Sequence, residues 1–96
     1  MRDLFDFINI TRIEKALLDL EKDSFDFLIG LPEYLVIEYF KKLRFTHNQP
    51  FQDYRGEVIS EERNLRIRWA ISLSEYAEYN KNIAYITDIM IYKKKK

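Results

Sequence analysis

A chain of 96 residues is long enough to bury one hydrophobic core, and 47% hydrophobic with 16% aromatic content excludes a disordered chain. The formal charge is zero: residues 1–53 hold seven Lys/Arg against ten Asp/Glu, and residues 54–96 hold nine against six. A global electrostatic pull on nucleic acid is therefore excluded, while a local basic face stays open. No cysteine is present, which excludes disulfides and thiolate metal sites and suits a cytoplasmic location. No apolar run reaches the roughly 18–20 residues of a membrane span.

The opening, MRDLFDFINI, is acidic and does not read as a secretory signal. Residues 5–10, FDFINI, alternate and admit either a short first strand or a helical start. TRIE at 11–14 is a capping-box pattern, and Ile13, Ala16, Leu17 and Leu20 follow at helical spacing, which predicts a helix from 12 to about 23. DSFDFLIG extends it by a turn or two before Gly30. Pro32 suits the first position of a second helix, with Glu33 near its positive end. Val36, Tyr39, Phe40 and Leu43 form its buried stripe, Lys41, Lys42 and Arg44 suit its C-terminal end, and THNQP stops it.

After Pro50 the period changes from near 3.6 to 2. YRGEVIS (54–60) reads as a strand and EERN as a turn. In residues 65–73, Leu65, Ile67, Trp69, Ile71 and Leu73 alternate with Arg66, Arg68, Ala70 and Ser72, the pattern of a strand with one apolar face. A second turn falls near Asn80–Asn82. The last strand, 83–92, is apolar on both parities, as expected of a central strand covered on both faces. The whole chain, 1–96, is predicted to be one α+β domain, a helical hairpin packed on a three- to four-stranded antiparallel sheet.

This order resembles the RelE/ParE superfamily of toxins from toxin–antitoxin modules, which have about this length, a short first strand, a helical hairpin and a three-stranded meander. GLPEYLVIEYFKKL (30–43) is similar to the start of that family's second helix, NLRIRWAI (64–71) to its Arg-bearing strand, and NIAYITDIMIYKKKK (82–96) to its last strand and basic tail. The chain differs in being neutral where ribosome-dependent members are strongly basic. It carries Tyr92 and lysines where many nuclease members have a His-Arg element.

The resemblance implies cleavage of RNA by attack of a 2′-OH on its own phosphate, which needs cations for the charged intermediate together with a base and an acid. Arg55, Arg66 and Arg68 are then the phosphate clamps, because a guanidinium fork binds phosphate oxygens in pairs. Tyr92 or a tail lysine handles the proton, and Lys93, Lys94 and Lys95 touch RNA. The competing reading keeps Arg66 and Arg68 as solvated strand residues paired with Glu57, Glu61 or Glu75 across the sheet. His47 reads as a capping or surface residue of a post-helix loop. One histidine and no cysteine make no case for a metal, and no cofactor is expected. Asp53 and Glu57 form at most a weak nuclease-like carboxylate pair. Phe5, Phe7, Phe25, Phe27, Tyr39 and Phe40 fit core periodicity better than a base-stacking platform. Tyr76 and Tyr79 flank a turn without a core pattern, which suits a partner-binding surface.

Two readings follow. One is a RelE/ParE-like toxin, an endoribonuclease neutralised by an antitoxin. The other is a non-catalytic phage or viral interaction protein that inhibits a host complex through its sheet and Tyr-rich hairpin. A composition rich in Ile, Lys, Asn, Tyr and Phe fits both. The expected partners are a protein and, in the first reading, RNA. A second copy of the chain is a further candidate, and a membrane is not expected.

Overall fold

The computed structural model describes residues 2–48, 55–76 and 81–93. Two helices lie on one face of a four-stranded antiparallel sheet, so the architecture is α+β as expected. The first helix, α1, spans Arg2–Leu18. It replaces both the candidate strand at 5–10 and the helix beginning at 12. Thr11 is not a cap: its hydroxyl donates back to the Phe7 carbonyl at 2.8 Å, and Asn9 does the same to Phe5 at 3.1 Å. Short polar side chains can serve a helix interior this way as well as its start. Asn9, Ile13 and Ala16, at helical spacing, turn inward.

The chain leaves α1 at Leu18 rather than near residue 23. It then makes a single 3-10 turn, Asp26–Leu28, that buries Phe25 and Leu28 completely. Gly30 has φ +93°, a conformation that costs a side-chain-bearing residue free energy. This turn lets the Gly30 N–H reach the Ile86 carbonyl (2.7 Å), and the Ile86 N–H returns to Leu31 (2.9 Å). Pro32 precedes the second helix, α2 (Glu33–Lys42), in an extended conformation. α2 buries Leu35, Val36, Tyr39 and Phe40, while Leu43 just beyond it is only half-buried. The Tyr39 hydroxyl donates to Asp6 of α1 at 2.7 Å, tying the helical hairpin together.

Arg44 at φ +69° turns the chain into β1, Thr46–Asn48. The segment expected only to stop the helix thus supplies an edge strand. Next come β2 (Arg55–Ser60), β3 (Leu65–Tyr76) and β4 (Lys81–Lys93), hydrogen-bonded in the order β1-β2-β3-β4. The turn at 61–64 carries Asn64 in the left-handed region. Arg63 anchors that turn, donating to the Leu43 carbonyl and to Ser60 Oγ, both at 3.0 Å.

β4 is an edge strand, not the central strand its double apolar parity suggested. A bulge supplies the physical reason. Ile91 and Ile89 oppose Ile67 and Trp69, but between Ala70 and Ile71 the register slips, so that Ile86 and Ala84 oppose Ile71 and Leu73. One extra residue moves the core-facing set from odd to even positions. The free edge of β4 is itself guarded. Residues 30–32 pair with Tyr85 and Ile86, and the Asp88 carboxylate accepts the Ile89 N–H at 2.9 Å.

Leu65, Ile67 and Trp69 are buried under the helices and Ile71 packs against the same core; the side chain of Leu73 lies outside the described residues. Phe25, Tyr39 and Phe40 belong to the core, with Phe25, Phe40 and Phe45 packed edge to face. Phe27 is half-buried. Phe5 and Phe7 are exposed, against expectation, because a helix beginning at Arg2 turns them away from the sheet.

Candidate functional site: the open face of the sheet

The face of the sheet away from the helices is built by strand alternation. In one row across it stand Thr46, Ile59, Arg66 and Tyr92; in the next stand Asn48, Glu57, Arg68 and Met90. Directly opposed residues share a face, so this register alone brings Glu57 between Asn48 and Arg68, one row from Arg66.

Glu57 is the hub. Its Oε2 accepts from Arg68 Nε at 2.5 Å and lies 3.7 Å from Arg66 Nε, and its Oε1 accepts from Asn48 Nδ2 at 3.1 Å. The Glu57 side chain is 9% exposed, against 48% for Arg66 and 42% for Arg68. Burial by itself pushes the Glu57 carboxyl up. The hydrogen bonds from Arg68 and Asn48, with the charges of both arginines, outweigh it and hold the group below its ordinary value of 4.5. The same hydrogen bond raises the Arg68 guanidinium above its ordinary value. The Arg68 guanidinium carbon also lies 5.0 Å from the Tyr92 ring centre, and the Tyr92 hydroxyl donates to Met90 Sδ at 3.7 Å.

Arg66, Arg68, Tyr92 and Lys93 border one open concavity of about 630 Å³, which reaches the turn at Glu61 and Asn64. Four of the candidate site residues therefore meet. The strand register sets Arg55 opposite Ala70, but its side chain, like that of Tyr76, lies outside the described residues, as do Tyr79, Lys94 and Lys95 altogether. Glu61 and Glu62 do not take the strand arginines; Glu62 lies 3.5 Å from Arg63. His47 is neither a cap nor a loop residue. It stands in β1 on the helix-covered face, its ring parallel to that of Trp69 with centres 6.5 Å apart. Among the described residues no group of His, Cys, Asp and Glu is placed to hold a metal ion, and no helix is long and apolar enough to cross a membrane.

The site's chemistry is that of one carboxylate shared by two half-exposed guanidiniums, a net single positive charge flanked by an aromatic ring. Sequence reasoning named Glu57 as one of three possible partners. It missed Asn48, whose position opposite Glu57 depends on β1, an element with no sequence signal of its own.

Two expected results follow from this geometry. Arg66→Ala combined with Arg68→Ala should cost about 1–3 kcal/mol, because a hidden carboxylate loses two cationic partners. Adding Glu57→Gln should return part of that loss. Chemical denaturation of the three variants checks both; a double variant as stable as wild type would mean that Glu57 does not depend on the arginines. The pH dependence carries a sign. Because the folded-state pKa of Glu57 is lowered, its stabilisation is fully present above the unfolded value near 4.5 and is lost as pH falls through the folded value. The stability gap between wild type and Glu57→Gln should thus be constant near neutrality and narrow only in acid. A gap that closes on the alkaline side would contradict the assignment.

Comparison with known protein families, with curated proteins and with solved structures returns no match to this chain. A fold does not by itself imply a function, which lives in the chemistry of the site it carries.

Proposed function

We propose that this chain is a non-catalytic interaction protein of the phage or viral kind that binds a protein partner on the open face of its sheet. The observation that carries this reading is Glu57 holding both strand arginines. A phosphate clamp needs cations free to receive the phosphate, whereas here one carboxylate already engages both arginines and halves their charge. What the face offers is Arg66, Arg68, Met90 and Tyr92 side by side on rigid strands, the residue types enriched where proteins meet. A guanidinium fixed by Glu57 and leaning on Tyr92 loses little freedom when a partner covers it.

A second reading is favoured by one specific observation, the concavity bordered by Arg66, Arg68, Tyr92 and Lys93. It keeps the chain as a RelE/ParE-like toxin, an endoribonuclease neutralised by an antitoxin, with these residues around the scissile phosphate. The two readings separate in a single experiment. Purified protein is mixed with a labelled single-stranded RNA at low salt, and growth is followed on induced expression. The expected result is no cleavage by wild type, with any growth defect on expression lost with Arg66 and Arg68 but unaccompanied by RNA cleavage. The control is the variant combining Arg66→Ala, Arg68→Ala and Glu57→Gln, which leaves no stranded charge. RNA cleavage that this variant abolishes while its fold persists would overturn the interaction reading and establish the nuclease.

A further inference from the structure

The helix α1 carries a feature that the sheet face does not explain. Leu4 is 64% exposed, Phe7 66% and Leu18 87%, with Phe5 and Ile8 about half exposed. At 100° per residue, Leu4, Ile8, Thr11, Lys15 and Leu18 share one stripe about 80° wide, on the side of the helix away from the face that buries Asn9, Ile13 and Ala16. Phe7 lies along one side of it. An ordinary surface helix keeps this stripe polar. Here the N-terminal half is apolar on both sides.

We infer that α1 is a self-association surface, on which two copies of this chain pair antiparallel across a two-fold axis at Thr11. The residues of the stripe are complementary to themselves in that arrangement. With Thr11 facing Thr11 of the second copy, Leu4 falls on Leu18, and the stem of Lys15 lies level with Ile8 on the same side of the pair. The most exposed leucine on the helix is thereby covered by the leucine at its far end. A lysine stem covers apolar surface of this kind while its ammonium stays in water. Threonine, a small residue, sits where the helices approach most closely. The stripe from Leu4 to Leu18 is about 21 Å long at 1.5 Å per residue. Its exposed side chains amount to roughly 500 Å² of apolar surface per copy, in the upper part of the ~300–600 Å² of a monomer's largest patch, which is often functional. With the polar flanks this approaches the roughly 800 Å² per partner of a standard interface. Charge argues against a lipid surface as the occupant. A membrane-binding helix is flanked by cations, whereas α1 carries Asp3 and Glu14 as exposed anions beside Arg12 and Lys15, and Arg12 is drawn aside, 4.2 Å over the Phe27 ring.

Sedimentation of the full chain tests the inference. Wild type should pass from one chain to two across the micromolar range, and Leu4→Glu with Phe7→Glu should weaken association at least about tenfold. Both side chains are exposed, so far-ultraviolet circular dichroism should show the fold intact. Because the chain has no cysteine, a single Thr11→Cys should close a disulfide between two copies under mild oxidation, since residue 11 meets itself on the axis. A Glu38→Cys control on the exposed side of α2 should not. A wild type that stays monomeric throughout, a dimer indifferent to the glutamate pair, or equal crosslinking at 11 and 38 would each overturn the proposal. So would a monomer that binds anionic vesicles through Leu4 and Phe7.

Discussion

Replacing Gly56 by alanine should destabilise this protein by about 3 kcal/mol or more, at the upper end of what overpacking costs. Gly56 lies in β2 directly opposite Trp69 in β3, on the face covered by the helices. A Cβ at Gly56 would run into the indole at Nε1 and Cε2 and come within 2.6 Å of Cζ2. The ring has nowhere to go. Trp69 is fully buried, its Nε1 donates to Glu33 Oε2 at 2.7 Å across to α2, and His47 lies parallel to it. Moving the indole by even an ångström breaks that hydrogen bond, which is charge-assisted and joins sheet to helix. A fold of this size has on the order of 5–10 kcal/mol in hand, so Gly56→Ala should melt far below wild type. Trp69 is the only tryptophan, and its emission reports the loss directly. Because the clash is with one ring, Trp69→Phe should be less harmful in the Gly56→Ala background than in wild type. A Gly56→Ala protein of unchanged midpoint would show that the indole is not held where the structure places it.

Truncating Ile67 to alanine should cost about 2–5 kcal/mol, and Leu43→Ala clearly less. Ile67 is completely buried at the centre of β3, with Val58 on one side and Ile91 on the other, so deleting its outer carbons leaves a cavity that no neighbour on a hydrogen-bonded strand can move to fill. Leu43 follows the last turn of α2 and is only half-buried, so much of its side chain has water to fall back on. Urea midpoints for the two variants decide the order. Equal losses, or a larger loss at Leu43, would place the centre of the core under the helix end and not under β3.

Of the arginines, the order of magnitude of what a single change can do is smaller, and the reason lies in their setting. Arg66 and Arg68 share one carboxylate at the water boundary, where solvent screens each pair. Their energetic weight in the fold comes through Glu57, which is hidden and cannot lose its cations without a penalty.

What the sequence by itself determined was the fold class and the faces of the strand with the clearest alternation. Alternation from Leu65 to Leu73 can only put Ile67 and Trp69 on one face and Arg66 and Arg68 on the other. EERN marks the turn between two neighbouring strands, and Pro32 marks the start of the second helix to within one residue, since α2 begins at Glu33 and not at Pro32. The α+β class follows from that change of period after Pro50. Tertiary structure decided the matters in which two local signals compete or distant residues must meet. TRIE has the text of a helix start, yet Thr11 lies in mid-helix because the nine residues before it also fit a helix that docks Asp6 on Tyr39. IAYITDIMIY has the text of a central strand, yet a bulge opposite Ala70 and Ile71 serves one core with both parities, and the strand lies at the edge. No spacing along the chain tells Glu57 from Glu61 or Glu75 as the partner of the arginines. Only the register of β2 on β3 sets it opposite Arg68, and only β1 brings Asn48 to its other oxygen. A carboxylate's pKa, the clearance above a glycine and the exposure of α1 are all properties of such meetings between segments, which is why they became visible only when the chain was folded.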